Sequence, residues 1–351
     1  MQNNRWIGAA VMLALAVLVG VGMWRTSGQR GPERIAVVRS CEGVMGTTCS
    51  MAALVAPGQR ARAEKALDKA ENALRAAEIQ MSTWLDDSEL GRLNSAAAGV
   101  EVPLSPGSLR VLRLARQAAV RTDGAFDITC RPVIELWRKA PQQGTIPAED
   151  QLAQARADSN WDLIELTDQG ALKHKATARV DLGGIAKGYG IDRALEVLRK
   201  AELAGGLVDV GGDLACFGHP PLGEDWQVDV KNPFGAGHLV ELHSTGGAVC
   251  TSGNYARFTE IGGKRYGHII DPRTGQPTDA AVSVTVVAAN AVTADIWATS
   301  LSVLGLKGFK RLPHGVEAMI VTGSKDDHKI HCTPGFRKFL KEDRNGNTSP
   351  L

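Results

Sequence analysis

Residues 180–192 read VDLGGIAKGYGID, an apolar run that stops at Gly183-Gly184 and resumes as a helix near Ile185. The glycine pair lets the chain turn sharply between the two elements. Free backbone N–H groups at such a helix start attract anions, and Lys187 in the first turn adds a full positive charge. Two readings follow, a seat for a phosphate or ribose and a packing turn with a solvated lysine, and this segment alone leaves both open. It is not a Walker loop, because GxxxxGK[ST] is absent, and GxGxxG is absent too.

Working outward, the helix is expected over residues 185–201, and short strands over 163–166, 171–175, 206–210 and 226–230. Ala63, Leu67, Ala70, Leu74 and Ala77 fall on one stripe at three- and four-residue spacing, which predicts an amphipathic helix over 60–79. A second is predicted over 106–121, with Ser105 as N-cap and Pro106 at its first position. The β-branched run VSVTVV at 282–287 predicts a strand, and 291–304 a helix after it. Helices and strands interleave without regular alternation, so the fold class is α+β and not a doubly wound sheet.

The chain has 351 residues, 44% hydrophobic and 22% charged, enough for one large or two medium globular domains. Forty Lys and Arg stand against 38 Asp and Glu, a net charge of +2. That balance argues against a nucleic-acid partner. Residues 6–24, WIGAAVMLALAVLVGVGMW, are 19 residues without a charge, about 28 Å as a helix and enough to cross a bilayer. No A-x-A cleavage site and no lipidation cysteine follow, so residues 1–25 are expected to be an uncleaved signal anchor. Arg25, Arg30 and Arg34 would by themselves favour a cytoplasmic body. Residues 26–33 read as a polar tether within a linker drawn at 26–40. The main domain is drawn at 41–340 and a flexible tail at 341–351.

Six cysteines, at 41, 49, 130, 216, 250 and 332, show no CxxC and no zinc spacing. Export would permit a disulfide, but the sequence does not choose a pair.

Other segments carry polar groups that a core does not require. Residues 250–277 read CTSGNYARFTEIGGKRYGHIIDPRTGQP, in which Pro272 must end a short strand carrying His268 through Asp271. This is either the end of a β-hairpin with a surface histidine or one rim of a pocket. In 205–218, GGLVDVGGDLACFG, the glycines read as close backbone packing beside a buried strand, with Asp213 just after them. Asp295 and Thr299 lie four apart on one helix face, and with backbone carbonyls they form an oxygen-only set suited to Mg²⁺. Asp295 near a helix start is equally a capping residue. Trp84 in MSTW and Phe126 in GAFDIT offer aromatic planes to a flavin or adenine, or to the core.

Taken in order, Met45-Gly46-Thr47-Thr48, MSTW at 81, GAFDIT at 124, DLGGIAKGYGID at 181, LVDVGGD at 207, TSGNY with YGHIIDPRTGQP from 251, and SVTVVA with TADIWAT from 283 resemble the ApbE family of FAD:protein FMN transferases. The resemblance covers residues 41–325. It implies a single T-fold-related body of two subdomains with FAD between them. It implies Mg²⁺-dependent transfer of FMN from FAD to a Thr or Ser hydroxyl of an acceptor flavoprotein, with release of AMP. It also implies action outside the cytoplasmic membrane of a bacterium, which sets the anchored body in the periplasm.

Carried over residue by residue, the resemblance makes Met45, Trp84, Ala125, Phe126, Asp127, Asp181, Lys187 and Ile270 contacts of FAD. Gly184 (by its carbonyl), Asp295 and Thr299 become the Mg²⁺ ligands, which makes Asp295 part of the catalytic apparatus. His268, with an ordinary pKa of about 6.5, suits the base that activates the acceptor hydroxyl; it could instead orient a phosphate or the acceptor peptide. Three positions depart from the family pattern: Trp84 stands for Tyr, Arg131 for Gly, and Gly267 for Ser. Hydrolysis of FAD to FMN and AMP, and flavin binding without chemistry, are the competing activities.

Overall fold

The run SVTVVA is buried at every residue, which a strand achieves only when both faces of its sheet are covered. In the computed structural model, which describes residues 33–220, 225–254 and 258–340, this strand lies inside an eight-stranded antiparallel sheet. In spatial order the sheet runs β1 (Ile35–Val44), β2 (Thr47–Val55), β6 (Gly205–Val210), β7 (Asp213–Gly218), β10 (Gly246–Gly253), β15 (Ser283–Ala288), β16 (Glu317–Gly323), β17 (His328–Cys332). Four small sheets surround it. They are β3 (Val102–Pro103) with β5 (Gly170–Lys173) and β4 (Ile164–Leu166), β8 (Trp226–Lys231) with β9 (His238–Ser244), β11 (Phe258–Ile261) with β12 (Lys264–Gly267), and β13 (Ile270–Asp271) with β14 (Gln276–Pro277).

Strand periodicity divides the core in two. Ala248, Cys250, Val284, Val286, Ala318 and Ile320 join the cluster formed with the long helices. Their neighbours Val249, Val287 and Met319 point the other way, into a cluster with Val228, Val240, Leu242 and Phe336.

The helical layer is built from α1 (Arg60–Met81), α6 (Ala186–Lys200) and α7 (Ala291–Leu304). Between the first two lie α2 (Glu89–Ser95), α3 (Pro106–Thr122), α4 (Arg131–Gln143) and α5 (Glu149–Ala157). The expected stripe on α1 is buried, with Ala66 and Met81 added to it. Ser105 caps α3 by accepting from the Ser108 N–H, and Pro106 opens the helix.

Two expectations are corrected. The linker drawn at 26–40 ends inside β1, because 35–40 pair in register with β2. His268 is not carried on a strand: β12 stops at Gly267, and β13 begins at Ile270. Pro272 does end that strand as expected. From Arg34 onward the contacts form one unit. Among the described residues no helix is long and apolar enough to cross a membrane; the expected anchor at 6–24, most of the tether and the tail lie outside the described residues.

Helices α6 and α7 cross where Gly188 meets the first residue of α7. A Cβ on Gly188 would stand 2.4 Å from the Ala291 carbonyl oxygen and 2.7 Å from Val292 Cα. Backbone cannot yield as a flexible side chain does. Gly188→Ala is therefore expected to destabilise the protein by about 3 kcal/mol in urea unfolding. Gly235→Ala, where a Cβ meets nothing within 4 Å, should stay within about 0.5 kcal/mol.

Candidate active site

The first turn of α6 has no capping side chain of its own, and its Ala186 N–H donates to the Leu182 carbonyl at 2.9 Å. Its Gly188 N–H donates instead to Asp295 Oδ2 at 3.0 Å, from the second turn of α7. In return Asp192 of α6 caps α7: its Oδ1 accepts from Ala291 N at 2.7 Å and its Oδ2 from Val292 N at 2.9 Å. The two helix starts are thus locked by each other's carboxylates, and Asp295 is held 3% exposed.

The oxygen set expected for a cation assembles around that lock. A Cβ built on Gly184 would lie 2.8 Å from Thr299 Oγ1 and 3.1 Å from Phe126 Cε2. The Gly184 backbone therefore passes directly by the Thr299 hydroxyl, one helical turn from Asp295. Among the described residues no group of three or more His, Cys, Asp and Glu is gathered to hold a metal. One carboxylate, one hydroxyl and one carbonyl match Mg²⁺, which keeps several waters. The residues present fit the ion.

Lys187 projects from the same first turn and pairs with Asp213 of β7. Asp213 is 2% exposed and also accepts from the Thr251 N–H at 2.9 Å. Burial works against the Lys187 charge, but the carboxylates of Asp295 and Asp213 outweigh it and raise its pKa. Burial pushes the Asp295 carboxyl up to about 7, Lys187 opposing and Asp213 reinforcing. Asp213 and Asp192 are the site residues that sequence reasoning missed. The available signal was an Asp closing each of the two glycine-rich segments.

Of the residues expected to contact a flavin, Phe126 lies beside Gly184, and Ala125, Asp127 and Asp181 belong to the loops joined next to it. Phe126 and Ala125 are buried, 3% and 1% exposed. Asp127 accepts from Thr129 N and Thr129 Oγ1, both at 2.8 Å, yet burial still raises its pKa to about 6. The Asp181 N–H donates to the Ile128 carbonyl at 2.7 Å, tying this loop to the run that enters α6. Ile269 shares a small buried cluster with Ala125 and Val303, and the Arg273 Cγ comes within 3.5 Å of a Cβ built on Gly124. The Asp271-Pro272-Arg273 corner therefore stands against the GAFDIT loop. Ile270 is buried with Val133, Trp137 and Ile261, and His268 is exposed in the bend before it. Met45, in a turn with φ 50°, lays its thioether against Gly190 of α6.

Trp84 is 60% exposed. The Arg138 guanidinium lies 4.0 Å from its ring centroid and that of Arg131 5.1 Å. Arg131 also approaches Asp181 at 3.9 Å. Trp84, Arg131 and Arg138, with Glu135, Lys139, Gln142 and Arg179, line a cavity of about 390 Å³. The rim is basic where the centre is acidic.

The eight-stranded antiparallel sheet, with two helix starts that bring together Lys187, Asp213, Asp295 and Thr299, defines an α+β protein with a buried polar site. A family model described as the ApbE family matches residues 45–320, and the chain belongs to that family. It is 32% identical over 296 residues to an FAD:protein FMN transferase of Klebsiella pneumoniae, covering 81% of this chain and 85% of that one. A protein of the same name from Vibrio cholerae is 30% identical over 305 residues, covering 85% and 91%. The solved flavin transferase ApbE from Vibrio cholerae superposes with a TM-score of 0.78 at 28% identity, over 88% of this chain and all of that one. The ApbE protein of Thermotoga maritima gives 0.77 at 26%, also over 88% and all of its length.

The raised Asp295 pKa fixes a pH dependence. Between the ordinary carboxylate value of 3.8 and about 7, the folded state binds more protons than the unfolded state, so this group's contribution to stability falls as pH rises through that window. A cation held there would need the carboxylate and would reverse the loss. Millimolar Mg²⁺ is therefore expected to raise the thermal midpoint more at pH 8 than at pH 6. Asp295→Asn should abolish the difference.

Proposed function

We propose that this chain transfers FMN from FAD to a Thr or Ser hydroxyl of an acceptor flavoprotein in a Mg²⁺-dependent reaction that releases AMP. The observation that carries the reading is the convergence of Gly184, Thr299 and Asp295 beside Lys187, at the first turn of α6. Relatives at 30–32% identity carry the name FAD:protein FMN transferase, which supports the same substrate here.

The reaction joins the acceptor oxygen to the FMN phosphorus and breaks the bond from that phosphorus to the AMP oxygen. Negative charge builds on the diphosphate as the bond breaks. Mg²⁺, held by Gly184, Asp295 and Thr299, would supply the offsetting charge. Lys187 adds a fixed cation at the same helix start, and its pairing with Asp213 keeps it protonated and oriented. Phe126, Ala125 and Asp127 with Asp181 wall the flavin half, Met45 and Ile270 flank it, and Trp84 offers a stacking plane. His268, exposed in the bend between β12 and β13, is the base that takes the hydroxyl proton from an incoming acceptor segment.

Residues 6–24 serve in this proposal as an inner-membrane anchor that holds the body in the periplasm, where exported flavoproteins are met.

The test is to incubate the protein with FAD, Mg²⁺ and a Thr-bearing flavin-acceptor domain and to weigh the acceptor by mass spectrometry. A covalent FMN adduct is expected, reduced ~100-fold or more by Asp295→Ala. Free FMN and AMP without an adduct would mean hydrolysis, and unchanged FAD binding alone; either outcome refutes transfer. His268→Ala should slow transfer by about 100-fold with FAD affinity little changed. Equal loss of both would remove the histidine from the role of base.

A further inference from the structure

The register of β1 and β2 sets two cysteines face to face. Cys41 and Cys49 are direct partners in the ladder. Opposed residues of an antiparallel pair have Cα atoms about 4.5–5.5 Å apart and project to one face. A disulfide spans about 4.4–6.8 Å between Cα atoms. Both side chains face α1, since Arg39, two residues before Cys41, forms ion pairs with Asp68 and Glu71 of that helix. Cys49 is buried and Cys41 half-buried. Burial and then a hydrogen bond with Cys41 push the Cys49 thiol above its ordinary range. Among the described residues this is the one strand pairing that opposes cysteine to cysteine: Cys216 faces Leu207 and Gly247, Cys250 faces Val286, and Cys332 faces Met319.

The position of the pair gives it consequence. The regular ladder ends there, and a bulge leads to Val44 opposite Thr47, around the turn that carries Met45. The Met45 thioether rests on Gly190 of α6, and Thr47 rests on Gly211 of the turn before Asp213. The Gly211 N–H donates to the Thr48 carbonyl at 3.0 Å. A bond between the two sulfurs would close a ring around the turn that braces both carriers of the Lys187–Asp213 pair.

We propose that Cys41 and Cys49 form a reversible cross-strand disulfide by exchange with small-molecule disulfides. The accessible Cys41 thiolate attacks a disulfide RSSR, giving a Cys41–SR mixed disulfide and one RS⁻. Cys49 then loses its proton and attacks Cys41 Sγ, forming the Cys41–Cys49 bond and releasing the second RS⁻. The two thiols are oxidised by two electrons, and RSSR is reduced to two thiols. The burial of Cys49 keeps the external disulfide on Cys41 and makes the second step internal.

The test is direct, because trypsin leaves both cysteines on one peptide, residues 40–60. The chain is equilibrated with oxidised glutathione at pH 8, alkylated, digested and weighed. The expected peptide is about 2 Da lighter than its reduced form, unalkylated at both cysteines and restored by dithiothreitol. Oxidation should also raise the thermal midpoint by about 3 °C, an increase absent from the Cys41→Ser and Cys49→Ser single variants. Alkylation of both thiols, a glutathione adduct persisting on Cys41, or a midpoint unchanged by the bond would each overturn the proposal.

Discussion

The reciprocal capping of α6 and α7 is the constraint on which the site depends. At each helix start N–H groups are taken up by a carboxylate from the other helix, Gly188 by Asp295 and Ala291 and Val292 by Asp192. The exchange requires the helices to approach until Gly188 touches the Ala291 backbone. Once that distance is set, Lys187, Gly184 and Thr299 have little freedom left. Binding geometry and helix termination are the same set of bonds.

The capping also fixes the electrostatics. At the centre one lysine sits between Asp213 and Asp295, one positive charge against two negative ones when both are ionised. Burial raises the Asp295 pKa first, Lys187 opposes it and the Asp213 carboxylate adds to it. Around the rim, Arg131, Arg138, Lys139 and Arg179 reverse the sign. A cation at the centre and an anionic group at the rim would each neutralise charge that repels the other.

Local signals made much of this legible in the sequence. Gly183-Gly184 marks the strand-to-helix break, the alanine and leucine stripe marks α1, and the β-branched run marks β15. The four-residue spacing of Asp295 and Thr299 was enough to put both on one face. Partnerships across long gaps were not legible. Asp192 meets residues 99 and 100 positions away, and no local pattern records that. Asp213 was read as an appendage of a packing turn because its partner Lys187 comes from another element. The first six residues of β1 read as linker, because Val37 and Ile35 find their apolar partners in a core assembled from distant elements. His268 was placed on a strand because the flanking isoleucines hid the break at Gly267.

The indole of Trp84 already has a guanidinium on one side. A flavin that reached the exposed part of the ring, past the second guanidinium of Arg131, would set isoalloxazine against indole. Indole in van der Waals contact with an excited flavin gives up an electron faster than the flavin can emit. Trp84 would then make the pocket dark when filled, and the protein would report its own occupancy as lost yellow-green fluorescence, with no label attached.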